Sequence, residues 1–391
     1  MLRIVPILLF MLLAACGSSS DDEALYTLTV NFNNTFSGDA QITLNGKESL
    51  SFSTLVEDPD AFSQKNEKTF SYHFKTGEEY NLNITQQPDS QYCTSYHLSG
   101  VFGVEDIDAS VTCSNYYRGL SEANEVSINY NHACAIENSQ VFCWQEDRSS
   151  QGGLTLLEVP VGIINPRKIS AGYNESCVID DSGVICWGDS TNTGMPESFS
   201  NPTDIKSGFF STCALDDQGV SCWGAGVIPT YLNRHSEING ELTSLTVGQD
   251  NACLLQDGKP VCWGWNLANF ELLGIGQAQK IQLSQFGGCT LFEGALTCWK
   301  VGQPEYVYDF SHIENIEDFE IAPDGFSMCV MADQSIHCKN FFGLEYLPEL
   351  NVNYLTHSVT AMSVSNDHIC AIDAQGLICT SNSYSDLEVP Q

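Results

Sequence analysis

The strongest constraint on the fold is a cysteine spacing that recurs along most of the chain. Fourteen of the 17 cysteines form seven pairs whose members are nine positions apart: Cys134/Cys143, Cys177/Cys186, Cys213/Cys222, Cys253/Cys262, Cys289/Cys298, Cys329/Cys338 and Cys370/Cys379. Successive pairs begin 36 to 43 residues apart, a repeat length that is typical of propellers and solenoids. The sequence therefore predicts seven copies of one structural unit.

Each pair encloses the pattern of a β-hairpin. In the third unit two strand-like residues follow Cys213, and a four-residue turn then ends in Gly219; glycine adopts the positive φ that such turns need. This arrangement places Cys213 opposite Cys222. Because directly opposed residues lie within reach of a disulfide, we predict a disulfide within each of the seven hairpins.

Zinc binding is the alternative for paired cysteines. A zinc site needs four ligands, and a pair separated by eight residues, with no adjacent second pair or histidines, does not supply them. Disulfides need an oxidising compartment, which the start of the chain supports (below). In the chain-entropy model, closing each short loop stabilises the fold by about 2–3 kcal/mol.

Further residues recur around the cysteines. An apolar residue lies eight positions before the first cysteine of each pair: Val126, Ile169, Ile205, Leu245, Ile281, Ile321 and Met362. Tryptophan follows the second cysteine in five units, as Trp144, Trp187, Trp223, Trp263 and Trp299. Asn165-Pro166 and Asn201-Pro202 precede two of the apolar residues. With the hairpin pattern, these residues resemble the repeat of the regulator of chromosome condensation family, in its cysteine-bearing bacterial form.

The resemblance covers residues 118–391 and implies a seven-bladed β-propeller. After Cys379 only 12 residues remain, and residues 118–133 number 16, so the two ends together match one ordinary connecting segment. We therefore predict that the chain ends share a blade, with a last strand around residues 387–390. Sharing a blade would close the ring and leave no free sheet edge.

The first 24 residues have the pattern of an exported, lipid-anchored protein. An apolar run follows Arg3 and is too short to span a bilayer comfortably. Leu13-Ala14-Ala15-Cys16 resembles the cleavage box of bacterial lipoproteins. The resemblance implies a signal peptide over residues 1–15, lipidation of Cys16, a polar tether over residues 16–24, and location at the outer membrane. An ordinary secretory signal is the alternative.

Residues 25–115 form a different module. About seven short stretches of alternating polarity, among them 25–32, 40–44, 69–74 and 80–84, predict a small β-sandwich of immunoglobulin-like or transthyretin-like kind. Cys93 and Cys113 are expected to form its disulfide. Acids in the interruption at residues 56–67 raise the possibility of calcium binding, but no regular ligand loop is present.

The charge balance excludes some functions. There are 49 Asp and Glu against 15 Lys and Arg, a formal net charge of −34, which disfavours binding to nucleic acid and to anionic head groups. No nucleophile elbow, zinc-protease helix, phosphate-binding loop or dinucleotide motif is present. We therefore predict no catalytic residues, no cofactor and no metal ligands.

Three sets of residues are candidate sites. His132 and His368 occupy the same repeat position and suggest a paired site, although histidine there packs the blade in the resembled family. Asp180-Asp181 and Asp216-Asp217 suggest a glycosidase, but they fall on hairpin tips, where turn chemistry accounts for them. The repeated tryptophans are expected to pack between blades, which leaves Trp265, outside the repeat position, as a binding candidate.

The sequence thus predicts an all-β protein: a seven-bladed β-propeller preceded by a small β-sandwich. Its expected function is non-enzymatic, with the propeller binding a protein partner for adhesion, scaffolding or inhibition. The segments 226–241 and 265–279 are the candidate surface. The alternative is a propeller hydrolase or lyase that acts on polysaccharide.

Overall fold

A computed structural model describes most of the chain. The described residues are 24–32, 38–53, 66–86, 88, 91–95, 99–129, 132–146, 154–188, 194–226, 228–229, 240–264, 276–284, 287–300, 310, 313–323, 325, 327–333, 335–340, 359–366, 368–381 and 389–390. Within these ranges the structure is built almost entirely from thirty β-strands, and no helix there has the length and apolar character needed to cross a membrane. The chain divides into two compact units.

The first unit comprises residues 1–87 and 95–112 and contains two sheets. One has the strand order β3-β2-β5-β7, formed by β2 (Asp39–Leu44), β3 (Glu48–Ser53), β5 (Glu79–Gln86) and β7 (Ser99–Val101). The other sheet contains β1 (Leu28–Phe32), β4 (Asn66–Thr69) and β8 (Ile107–Gly119). In it, β1 lies between β4, which is antiparallel to it, and β8, which is parallel to it.

The two sheets pack together through their apolar faces. Along β2 the apolar residues Ala40, Ile42 and Leu44 are buried, and the polar residues between them are not, as expected for a strand with one face against a core. Phe32 of one sheet contacts Phe52 of the other, with ring centroids 4.7 Å apart. The core of this unit therefore lies between the apolar faces of the two sheets.

The prediction of a strand over residues 69–74 is wrong. β4 ends at Thr69, and Phe74 forms only an isolated bridge with Tyr26. The Glu48 carboxylate accepts hydrogen bonds from the backbone N–H groups of Ser71 (2.7 Å) and Tyr72 (3.2 Å). These donors are thus occupied by a side chain and do not join a ladder.

The second unit comprises residues 88–94 and 113–391. It contains all but the last residue of β6 (Gln91–Ser95), which pairs with β8. It also contains seven antiparallel sheets, each with one cysteine hairpin. In chain order their strands are β9 (Ala123–Ile128), β10 (Ala133–Glu137), β11 (Gln140–Glu146) and β12 (Leu154–Leu156); β13 (Lys168–Ala171), β14 (Glu175–Asp180) and β15 (Gly183–Gly188); β16 (Asp204–Ser207), β17 (Ser211–Asp216) and β18 (Gly219–Gly224); β19 (Leu242–Val247), β20 (Asn251–Gln256) and β21 (Lys259–Gly264); β22 (Lys280–Leu283), β23 (Gly287–Phe292) and β24 (Ala295–Lys300); β25 (Ile316–Ile321), β26 (Ser327–Ala332) and β27 (Ser335–Asn340); and β28 (Ala361–Val364), β29 (His368–Asp373) and β30 (Gly376–Ser381).

The hairpin prediction is confirmed in every sheet. Cys213 lies opposite Cys222 and Leu215 opposite Val220, and the equivalent register holds in the other six hairpins. The sequence spacing alone therefore located both strands of each hairpin and their pairing.

The predicted disulfides are present as well. In each hairpin the two opposed cysteines are bonded, with Cα atoms 4.0–4.1 Å apart. The bonded pairs are Cys134 with Cys143, Cys177 with Cys186, Cys213 with Cys222, Cys253 with Cys262, Cys289 with Cys298, Cys329 with Cys338, and Cys370 with Cys379. Cys93 and Cys113 form the eighth disulfide as predicted, but both cysteines lie in the second unit and not, as expected, in the first. This disulfide links two paired strands, because Cys93 lies in β6 and Cys113 lies in β8.

The first strands of the seven sheets contact one another in a closed cycle, β9-β13-β16-β19-β22-β25-β28 and back to β9. A regular hydrogen bond accompanies these contacts. The side chain opposite the first cysteine accepts a bond from a backbone N–H of the next first strand, as in Ala171 N to Ser127 Oγ (2.9 Å) and Ser207 N to Ser170 Oγ (2.8 Å). Ile128 N donates to Ser363 Oγ (3.0 Å) across the junction of the last and first sheets.

The sixth sheet departs from the predicted repeat. Phe319, and not Ile321, lies in the apolar position, because Glu320 pairs with Cys329. The connection from Ile321 to its partner Met328 is two residues longer than the one from Ala171 to Ser176 in the second sheet. This insertion shifts the strand by two positions relative to the spacing in the sequence.

The two ends of the second unit share one sheet, as predicted, but the strand that completes it is different. Tyr116–Gly119 of β8 pairs with β30, which gives the seventh sheet its outer strand. Residues 385–388 lie outside the described part of the chain. Val389 is 4% exposed and packs in the cluster that contains Leu120, and a Cβ added to Gly119 would clash with the Pro390 carbonyl oxygen. The end of the chain therefore lies beside residues 119–120.

The repeated tryptophans pack between neighbouring sheets. Each of the five shares an apolar cluster with the first cysteine of the preceding sheet; these pairs are Trp144 with Cys370, Trp187 with Cys134, Trp223 with Cys177, Trp263 with Cys213, and Trp299 with Cys253. In the sixth and seventh sheets, which lack this tryptophan, other apolar side chains such as Phe310, Phe319 and Met362 fill the junctions.

An ion pair at the shared sheet provides a test of ring closure. Arg118 donates two hydrogen bonds to Asp373 (2.8 and 2.7 Å), whose side chain is fully buried. Arg118→Met leaves that carboxylate without its cation, so we expect the free energy of unfolding to fall by about 2–3 kcal/mol. Urea unfolding at neutral pH measures this change.

Arg167→Met is the matched control. Arg167 pairs with Asp181 at 2.8 Å, but both side chains are 47% exposed, and exposed pairs contribute about 0–1 kcal/mol. Equal losses for the two variants would contradict a role of Arg118 in closing the ring.

Candidate functional site

The ring of first strands encloses a cavity of about 100 Å³. Residues from all seven sheets line it, including Ser127, Ser170, Lys206, Thr246, Gln282, Glu320 and Ser363. Pockets that enclose small-molecule ligands usually measure about 300–1,000 Å³. The cavity is therefore too small to enclose a typical substrate, and a ligand of ordinary size would have to bind at its opening.

Most polar groups of the cavity wall hold the ring together. Besides the serines described above, Thr246 accepts from Leu283 N (3.1 Å) and Gln282 accepts from Ile321 N (2.9 Å). Lys206 occupies the same position in the third sheet but cannot accept a hydrogen bond. At that junction Asp204 Oδ2 accepts from Leu245 N instead (3.3 Å).

Among the described residues, two that line the cavity are charged, Lys206 and Glu320. Lys280 contacts the Asp318 (2.5 Å) and Glu320 (2.9 Å) carboxylates, and its side chain is 24% exposed. Burial raises the pKa of Glu320, but Lys280 and Lys206 outweigh this effect and hold the pKa below its ordinary value. Glu320 is thus an ionised carboxylate with a structural counter-ion.

Aromatic side chains form a group at one end of the ring. We call the end where each first strand connects to its second strand the loop end, and the opposite end, with the hairpin turns, the turn end. At the loop end Tyr173 stacks on Phe209 (centroids 4.2 Å apart), and Phe209 contacts Phe210 (4.7 Å). Phe209 lines the cavity and Phe210 is 48% exposed. We call Tyr173, Phe209 and Phe210 the aromatic rim.

The structure places His132 between two sheets. Its Nε2 atom lies 2.7 Å from Ser176 Oγ of the second sheet. Burial lowers the pKa of His132 from 6.5 to about 4, although a hydrogen bond with the Glu175 backbone acts in the opposite direction. The contact with a neighbouring sheet agrees with a packing role. His368 is also buried, and its backbone N–H donates to Ser365 Oγ (3.1 Å).

The paired aspartates stabilise the turn end. Asp180 accepts hydrogen bonds from Ser182 N (2.7 Å), Ser182 Oγ (2.6 Å), Gly183 N (3.1 Å) and Ile164 N (2.8 Å). Burial raises the pKa of Asp180, but these bonds outweigh it, so the pKa lies below its ordinary value. Asp216 similarly accepts from Gln218 N (2.9 Å) and Ser200 N (2.9 Å). Turn chemistry therefore accounts for these acids.

Several predicted sites lie outside the described residues: Cys16, the acidic segment 56–65, most of the candidate surface 226–241 and 265–279, and Trp265. The histidines at positions 97, 235, 312 and 357, which show no metal-ligand spacing in the sequence, are also outside them. Within the described ranges, no group of three or more His, Cys, Asp or Glu side chains is placed to hold a metal ion.

Sequence reasoning missed the residues at the cavity. Lys206 and Glu320 stand where other units carry Ser, Thr or Gln, and the aromatic rim follows the repeat glycines Gly172 and Gly208. Aligning the seven units by their cysteines would have shown the charged exception in the third unit. It would have missed Glu320, because the sixth unit is shifted.

No family model matches the sequence, and no curated protein matches it. Solved structures do resemble the chain. The CRINKLY WD40 ectodomain of the Arabidopsis thaliana receptor kinase ACR4 is 18% identical, with 68% of this chain and 98% of that chain covered and a TM-score of 0.49. Human WBSCR16 is 12% identical (68% and 88% covered; TM-score 0.49), and Prp20p of Saccharomyces cerevisiae is 13% identical (68% and 83%; 0.45).

These neighbours are β-propellers of the WD40 and regulator of chromosome condensation types. Prp20p has binding properties toward Gsp1p and histones, and another neighbour, YCF48, was solved bound to a D1 peptide. The present chain is an all-β protein with many small sheets and propeller-like neighbours. The closed cycle of seven sheets follows from the contacts between the first strands of this chain, and not from the likeness to these neighbours.

The burial of His132 predicts a specific pH dependence. In the unfolded chain the His132 imidazole binds a proton below about pH 6.5. In the folded protein the same imidazole binds a proton only near pH 4. Stability present at neutral pH therefore falls as the pH drops from 6.5 to 4, by about 2–3 kcal/mol for this group at pH 4.5. Between pH 7 and 4.5, the free energy of unfolding of His132→Gln should therefore fall by about 2–3 kcal/mol less than that of the wild type. Urea unfolding at the two pH values measures this difference.

His73→Gln is the control, because His73 is exposed in the first unit. Because this variant leaves His132 in place, it should keep the loss of about 2–3 kcal/mol between pH 7 and 4.5. If His132→Gln loses as much stability as the wild type between pH 7 and 4.5, the assignment of a neutral, buried His132 is wrong.

Proposed function

We propose that residues 118–391 form a seven-bladed β-propeller that binds a protein partner, preceded by a small β-sandwich and tethered to the bacterial outer membrane through a lipid on Cys16. Each of the seven sheets would be one blade, and the loop end would carry the binding surface. Adhesion, scaffolding and inhibition are the roles compatible with such a module.

The aromatic rim is the observation that carries this proposal. Phe210 is 48% exposed at the loop end and contacts Phe209, which in turn stacks on Tyr173 and lines the cavity. Exposing an aromatic side chain costs hydrophobic free energy that burial against a partner would recover. Large aromatic side chains are also enriched among the residues that dominate protein–protein binding.

A polysaccharide hydrolase has less support. Glycosidases generally use two carboxyl groups about 5–10 Å apart. Among the described residues that line the cavity only one is acidic, Glu320, and Lys280 pairs with it. The aspartates that suggested this chemistry accept backbone hydrogen bonds at the turn end.

Crosslinking from one position tests protein binding. The photoreactive residue p-benzoylphenylalanine is introduced in place of Phe210 in the full chain, expressed in the producing cell and irradiated. We expect one discrete protein adduct, because the aromatic rim would face the partner. The adduct is detected as a shifted band and identified by mass spectrometry.

The matched control carries the same residue in place of Phe292. Phe292 is 41% exposed but lies at the turn end, where β23 enters its hairpin turn. This position should give no such adduct. The same adducts from both positions, or none from position 210, would contradict binding at the loop end.

Cys16→Ser tests the anchor separately. Lipid attachment to Cys16 would hold the protein in the membrane fraction, since each buried methylene adds about 0.8 kcal/mol. The variant should lose its acyl mass in mass spectrometry and appear in the soluble fraction, whereas Ser18→Ala should stay with the membrane. A Cys16→Ser protein that remains in the membrane fraction would refute the anchor.

A further inference from the structure

A carboxylate lies on the loop next to the aromatic rim. Phe209-Phe210 of the third sheet and Gln249-Asp250 of the fourth follow equivalent glycines, Gly208 and Gly248. The two loops are in contact, because a Cβ added to Gly208 would lie 2.5 Å from the Gly248 carbonyl oxygen. Within the described part of the chain, the Asp250 side chain forms no hydrogen bond or ion pair.

An exposed aromatic ring on one loop and a carboxylate on the loop that touches it are together suited to a guanidinium group. The planar cation of arginine stacks on aromatic rings, and its N–H groups donate to a carboxylate in a forked geometry. A lysine ammonium is more strongly hydrated and lacks the planar stacking surface. The neighbouring amide of Gln249, which lines the cavity, adds an uncharged acceptor.

The charge of the whole chain favours the same ligand. A net charge of −34 attracts positively charged groups and repels acidic ones before contact. Among the described residues near the cavity, Lys280 pairs with Asp318 and Glu320, and Lys206 lies close enough to Glu320 to help lower its pKa. These two lysines therefore do not neutralise the loop that carries Asp250.

We propose that the aromatic rim and Asp250 bind an arginine side chain on an exposed segment of the protein partner. The guanidinium group would stack against Phe210 and pair with the Asp250 carboxylate. This inference rests on the proposed function and names the chemistry by which the partner is recognised.

Binding of a fluorescent (Arg-Gly)5 peptide to the full chain tests the proposal. Its anisotropy is measured at about 0.15 M salt, where long-range attraction is largely screened, and is compared with that of (citrulline-Gly)5, which has the same shape without the charge. We expect the arginine peptide to bind and the citrulline peptide not to bind. Phe210→Ala and Asp250→Asn should each raise its Kd by about fivefold or more.

Two variants at the turn end control for general attraction to an acidic protein. Phe292→Ala matches Phe210→Ala without a change of charge, and Glu293→Gln removes one acid as Asp250→Asn does; both should leave Kd within about twofold. Phe292, Glu293 and Phe210 are all exposed, so folding should be preserved, which unfolding curves confirm.

Three results would overturn the arginine site: no binding of (Arg-Gly)5, equal weakening by Asp250→Asn and Glu293→Gln, or equal affinity for (Lys-Gly)5. The outcome is separable from that of the proposed function. A discrete adduct from position 210 without peptide binding would leave protein binding intact and refute only the arginine site. Peptide binding without any adduct would contradict the proposed function instead.

Discussion

A single repeat unit cannot bury its hydrophobic face without neighbours, and five of the seven hairpin sheets have only three described strands. Each sheet therefore depends on packing against two neighbours. The contacts that satisfy this requirement are repeated: a tryptophan against the preceding disulfide, and a polar side chain that accepts the next strand's N–H. A ring meets the requirement for every sheet at once, because it has no terminal member.

Because the sheets depend on these contacts, most polar side chains serve the fold, and only a few are available to bind a partner. Side chains of the cavity wall and of the hairpin tips mostly accept backbone hydrogen bonds, as Thr246 and Asp180 do, so they are committed to the fold. Phe210 and Asp250, by contrast, lie on loops at the loop end, and among the described residues neither side chain accepts a backbone hydrogen bond. Binding residues of rigid scaffolds commonly lie on such loops.

Local features of the fold were predictable from sequence because their determinants lie close together in the chain. The hairpin register follows from a turn of four residues, and the tip aspartates bond to atoms two or three residues away. Ring closure was predictable only in outline. The chain-end count indicated a shared sheet, but the number of residues did not reveal that Tyr116–Gly119 supplies the outer strand.

The sequence by itself determined the number of hairpins, their disulfides and their registers, because each is decided within about ten residues. Only the tertiary structure decided how Arg118 meets Asp373, 255 positions away. It also placed Glu320 beside Lys280, where a two-residue insertion had hidden the alignment. Such contacts depend on how seven similar sheets are arranged around one cavity, and the spacing within each repeat carries no information about that arrangement.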